Sequence, residues 1–195
     1  VSPQTARTKT EAEGKQKPED SKQRPVDKSK VYLLHSDLLR KDASHPDAQI
    51  VTGNVSFRHD SVYMYCDSAC YYDKVSSFEA FGNVKMVQGD TLFLYGDRLY
   101  YDGLTQIAEM RCNVRMENRT TTLLTDSLNY DRVYNLGYFF DGGTLMDEQN
   151  VLTSEWGEYS PQTKQSVFNY NVKLVNPQFT LTSDTLRYNT ASKIA

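Results

Sequence analysis

The 195-residue chain carries 22 basic and 25 acidic side chains, a formal net charge of -3, and 38% of it is hydrophobic. That length supports a domain with a real core, and the mild acidity argues against a general nucleic-acid binder. No run approaches the ~18 apolar residues that would mark a membrane-spanning helix.

The charge is unevenly spread. Residues 1–30 hold eight Lys or Arg and five Asp or Glu, no aromatic residue, and only Val1, Ala6, Ala12 and Val26 as apolar members. Such a segment cannot bury enough surface to offset its chain entropy, so disorder is expected there. The remainder, 31–195, has 14 basic and 20 acidic groups and every Tyr and Phe, and is expected to be the folded domain. The chain starts at Val rather than Met, so it reads as a processed product, and a polar leader with Lys and Pro commonly follows a removed export signal.

From Val31 onward one phrase keeps returning: "LHSDLLRKD", "YCDSACYYD", "LYGDRLYYDG", "LTDSLNYDR", "TSEWGEYSP" and "TSDTLRYNT". Its acids are Asp67, Asp97, Asp126, Glu155 and Asp184, spaced by 30, 29, 29 and 29 residues, with Asp37 a further 30 ahead of the first. A second phrase keeps step: "GNVSF" at Gly53, "GNVKM" at Gly82, "CNVRM" at Cys112, "GGTLM" at Gly142 and "YNVKL" at Tyr170. Two phrases sharing one period establish an internal repeat.

Each unit reads as two strands. Val84 and Met86 alternate with Asn83 and Lys85, and Val114/Met116 and Val172/Leu174 do the same. Phe93, Tyr95, Asp97, Leu99 and Tyr101 share one parity in the second phrase. Period-2 alternation rich in β-branched and aromatic residues predicts strands. Turn signals separate them at 88–90, 117–118, 176–177 and after Tyr101 and Tyr130. No segment carries a sustained helical stripe. The expectation is an all-β chain of roughly ten to twelve mostly antiparallel strands, whose units stack to form one apolar interior.

The repeated acid admits two readings. As a cation ladder it would stack like charges ~4.8 Å apart, which is unfavourable without bound calcium. As an architectural residue each acid would accept backbone N–H groups at a bend in its strand, the reading preferred here. The three cysteines, Cys66, Cys70 and Cys112, form no zinc spacing. In a straight strand Cys66 and Cys70 lie ~13 Å apart, too far to pair with each other; one could reach Cys112, or all three are free and buried, the reading preferred here. His59, in "FRHDS", sits in a predicted turn and is expected to be solvated. No GxSxG or metal motif accompanies His35, His45 and His59, and an acid present in every unit fits architecture better than one active site. The residues do not point to an enzyme.

The phrases "GNVKMVQGDTLFLYGDRLYYD" and "TLLTDSLNYD" resemble the OstA-like family, to which the periplasmic lipopolysaccharide transport protein LptA and the N-terminal module of LptD belong. The resemblance covers roughly residues 32–190, and the Tyr-rich closing phrase looks most like Bacteroidetes-type members. It implies an open twisted β-jelly roll whose apolar groove holds the acyl chains of lipopolysaccharide, in the lipid A part. It also implies a periplasmic location and modules joined head to tail by strand pairing toward the outer membrane, without cofactor, catalysis or nucleic acid. Carried onto this chain, the candidate groove lining is Val55, Phe57, Val84, Met86, Phe93, Leu99, Val114, Met116, Leu128 and Leu186. The unit around Glu155 departs from its siblings with Trp156, Gly157 and "GGTLM", so a reshaped groove is expected there. The same apolar positions would read identically in a sealed sandwich, which keeps open a structural or adhesive module that binds a protein through its edge strand.

Overall fold

A computed structural model describes residues 30–195, and the disorder expected N-terminal to them lies outside the described residues. Val31, at the expected start of the domain, is buried, and its carbonyl accepts a 2.7 Å hydrogen bond from the Tyr71 hydroxyl.

The alternating phrases form strands throughout: β1 (Tyr32–His35), β2 (Leu38–Asp42), β3 (His45–His59), β4 (Val62–Tyr72), β5 (Ser77–Gln88), β6 (Leu92–Asp102) and β7 (Ile107–Asn118). They continue as β8 (Thr121–Asp131), β9 (Leu136–Phe139), β10 (Gly143–Asp147), β11 (Asn150–Ser154), β12 (Trp156–Tyr159), β13 (Gln165–Val175) and β14 (Thr180–Asn189). All fourteen belong to one antiparallel sheet, and a single 3-10 turn at Asp73–Val75 is the one helical element among the described residues. From β3 to β8 each strand pairs with the next. Strand β8 then pairs with β10 along its first half and β9 along its second, and β13 pairs with β12 along its first half and β11 along its second. Each of these pairs is one long strand interrupted midway, which explains why fourteen strands replace the ten to twelve expected. The sheet curls over one contiguous core as an open, twisted jelly roll built from two-strand units.

One assignment from simple alternation fails. In β6, Leu92, Leu94 and Gly96 are buried, then Asp97 and Arg98 are exposed, then Leu99 and Tyr101 are buried. The bulge at Asp97 reverses the parity, so Phe93 and Tyr95 face outward with Lys85, whose ammonium lies 5.5 Å from the Phe93 ring centre. Phe93 therefore leaves the set of inward residues, and Leu94 takes its place.

A second row of the repeat lies at one end of the core. Tyr101, Tyr130, Tyr159 and Tyr188 close successive units, each 29 residues after the last, and each is buried. Their hydroxyls reach the polar residue that ends an earlier strand or the turn just beyond. The Tyr101 hydroxyl lies 2.6 Å from Nδ1 of His59, and Arg132 donates to both. Tyr130 donates to Asn135, which also accepts from Gln88. Tyr159 donates to Asn118, which accepts from Lys164, and Tyr188 donates to Asp147, which pairs with Lys193. The expectation of a solvated His59 is thus corrected: it is 0% exposed, because the closing tyrosine of the next unit covers it.

Burial pushes the Tyr130 hydroxyl up to about 12 and raises Tyr71, Tyr101, Tyr159 and Tyr188 in the same direction. Unfolded tyrosines release their protons near pH 10. The stabilisation is therefore complete below pH ~10 and drains as pH rises toward 12, at about 1.4 kcal/mol per pH unit for each such tyrosine. Urea unfolding between pH 9 and 12 should show this steep loss, with a shallower slope for Tyr130→Phe. Identical slopes would show that the ring is ionisable in place.

Candidate functional site

Every long strand turns a corner at its middle, and the repeated phrases build those corners. On one strand two consecutive residues adopt left-handed backbone: Gly53–Asn54, Gly82–Asn83, Cys112–Asn113 and Tyr170–Asn171. Their partner strand sets a single acidic residue against them, as where the β5–β6 ladder passes from Phe81–Arg98 to Val84–Gly96. This two-against-one bulge bends the pair. Glycine and asparagine are the residues that tolerate this backbone most readily.

The acids serve the corners through side chains, not through the backbone amides expected from sequence. Asp37 accepts from the side-chain amide of Asn54 at 2.9 Å, Asp67 from Asn83 at 2.8 Å and Asp97 from Asn113 at 2.5 Å; Glu155 accepts from Asn171. Left-handed backbone at Asn113 carries its amide to the neighbouring strand's acid. Of the series, Asp126 takes a backbone N–H, that of Asn113, at 3.2 Å. Among the described residues no cluster of three or more His, Cys, Asp or Glu is placed to hold a metal.

Asp126 differs because Gly142 stands where its siblings place asparagine. With that side chain missing, a cleft of about 830 Å³ opens on the outer face of the sheet. Asp97, Asp126 and Asp141 line one part of it, and Lys85, Tyr95 and Arg115 another. The Arg115 guanidinium stacks 4.5 Å from the Tyr95 ring centre and pairs with Glu117 at 3.1 Å.

The inner face is closed. Val55, Phe57, Val84, Met86, Leu99, Val114, Met116, Leu128 and Leu186 all join the core, at 0–9% exposure. An acyl chain would reach them only by displacing packed neighbours. The departures near Glu155 reshape this interior. A Cβ added to Gly143 or Gly157 would lie 2.7 or 2.6 Å from the Phe139 ring, so the two glycines leave the space that ring fills. The cysteines are all free, but only Cys66 is buried, with its thiol raised to about 12 by desolvation; Cys70 is partly exposed and Cys112 sits exposed at a corner. Sequence reading missed the asparagine partners, although their constant offset of 16 residues from Asp67, Asp97 and Glu155 was there to find.

Comparison with known proteins gives two results. A family model described as OstA-like protein matches residues 28–184. Among solved structures, LptH, the LptA-homologous periplasmic component of the lipopolysaccharide transport device of Pseudomonas aeruginosa, aligns at 11% identity with a TM-score of 0.33, over 77% of this chain and 98% of that one. No curated protein matches.

The corner geometry is testable at Gly82, where φ is +75° and an added Cβ would lie 2.5 Å from Oδ2 of Asp67. Gly82→Ala should cost about 1–3 kcal/mol in chemical unfolding, from backbone strain and the clash together. Adding Asp67→Ala should restore part of that loss by removing the clash alone. Simple additivity of the two changes would mean that the side chains do not meet.

Proposed function

The chain belongs to the OstA-like protein family, and from that premise we propose that it is a periplasmic module that binds and passes on lipopolysaccharide. The observation that carries this reading is the extent of the family match, which spans all but the last strand end of the described sheet. The stacked units supply what such a role needs, a continuous apolar interior along the whole molecule. Transfer of an acyl chain out of water yields about 0.8 kcal/mol per CH₂, so insertion of several chains would offset the disturbance of packed side chains. In this reading Val84, Met86, Leu99, Val114 and their inward neighbours line the acyl path. Modules would join end to end by strand pairing between β14 and the β1–β2 edge, since among the described strands β14 has β13 as its one neighbour and β1 and β2 have β3. No catalysis or cofactor enters the mechanism.

One observation favours a second reading. The inward positions are packed as a sealed core, which suits a structural or adhesive module acting through its edge strands. Photo-crosslinking separates the two. A crosslinking amino acid at Val84 or Leu99, both inward, should form adducts with the lipid A part of lipopolysaccharide, and the same label at outward Lys85 or Arg98 far fewer. Equal labelling from both faces, or none from either, would sink the transport reading and leave the adhesive one.

A further inference from the structure

A closed core that takes up acyl chains needs a place where the sheet parts, and the inference that follows rests on the lipid-binding reading above. The ladder breaks where an interrupted strand lies beside a continuous one, next to β13 and next to β8, and the break beside β8 is the one that lacks an acid–asparagine bridge. The β8–β9 ladder runs from Asp131–Leu136 to Asn129–Tyr138 and stops, and pairing with β10 resumes only at Thr125–Gly143. On that side Ser127 and Leu128 have no rung. On the other side of β8 both are paired, to Arg111 and Met110.

Side chains patch the gap. The Leu128 carbonyl takes a 3.1 Å hydrogen bond from Arg111, and the Thr125 hydroxyl donates to the carbonyls of Ser127 and Gly142. The patch is incomplete, because the Ser127 hydroxyl and Oδ1 of Asn129 are buried without a partner. Orphaned buried polar atoms mark a locally unstable stretch of sheet. Directly inside the gap lies Phe139, whose ring packs against Gly143 and Gly157 and lies 6.5 Å from the Phe168 ring. Directly outside lies the 830 Å³ cleft, with Asp141, Gly142 and Gly143 in its wall. Gly143 lies against both the cleft and the ring.

We propose that this gap is the port by which an acyl chain of an anionic, hydroxyl-bearing amphiphile enters the core, with Phe139 as its stopper. The polar head would rest in the cleft. Lys85, which has no acid partner among the described residues, and Arg115 meet its negative charge, while Asp126 and Asp141 accept from its hydroxyls. The Phe139 ring is itself apolar, so a chain that replaces it breaks no hydrogen bond of that side chain. Asp37, Asp67, Asp97 and Glu155 each bond an asparagine across to the next strand, and the lack of that bond at Asp126 accounts for the placement of the port at Gly142.

The test uses the full chain, a pyrene-labelled fatty acid and lipid A. Phe139→Leu should take up the probe several-fold faster with a smaller change in equilibrium affinity, and Lys85→Gln should slow uptake of the anionic probe but not of a pyrene-labelled alcohol. In the unaltered chain, amides at 127–128 and 139–142 should exchange hydrogen faster than those of the Arg111–Val114 corner and become protected on saturation with lipid A. Should Phe139→Leu fail to fold, that exchange pattern decides. Lipid binding with unchanged uptake rates, or with protection arising only along β14, overturns the port and leaves the transport reading standing. Absence of binding by every variant removes both.

Discussion

A strand that buries alternate residues can bend only if the bend leaves the alternation in phase with the core. Here that constraint is met by setting two left-handed residues, at 53–54, 82–83, 112–113 and 170–171, against one acid. The two residues on one strand preserve parity, so Phe78, Ala80, Val84 and Met86 of β5 all face inward across Gly82 and Asn83. The single residue on the partner reverses parity, so β6 must change from Leu92 and Leu94 before Asp97 to Leu99 and Tyr101 after it. The apolar pattern of each phrase is written around that difference. Asp–Asn pairing then holds the two strands at the angle where both patterns point to the same core.

Much of this was legible because a 29-residue period repeats both phrases and their turns, which fixes strand number to within a few and puts nine of ten candidate interior residues in the core. Phe93 was misplaced because alternation was carried straight through Asp97, and only the bulge reveals the change of phase. His59 was misread for a related reason. Its immediate neighbours spell a turn, but its environment comes from Tyr101, 42 residues away, and that contact exists only once units stack. The acids do bond at the bends, yet their partners are mostly asparagine side chains across a strand boundary, where local reading sees backbone first.

The two repeated polar rows do different physical work. The corner pairs are exposed, so each contributes little by itself, and their value is geometric: they select a backbone that most residues resist. The tyrosine contacts are buried, so each must be satisfied or cost the desolvation of its groups. Their chemistry drifts along the chain from His59 with Arg132, through Gln88 with Asn135 and Asn118 with Lys164, to the ion pair of Asp147 and Lys193. The tyrosine is the constant, because its rigid ring fills the core while its hydroxyl reaches the polar end.

Repetition also explains why one departure matters. In a stacked array each unit is held by its neighbours, so a lost asparagine is tolerated without loss of the fold. The loss at Gly142 is not repaired by a substitute side chain; it coincides with a break in the ladder across 126–128 of β8, two glycines and a phenylalanine seated between them. A purely structural array gains nothing from a weak seam over its own core, since each unpaired buried group detracts from stability. A carrier of apolar cargo does gain. Its interior has to exchange one set of contacts for another of similar worth, and a seam confines that exchange to one corner while the remaining corners keep the sheet in register.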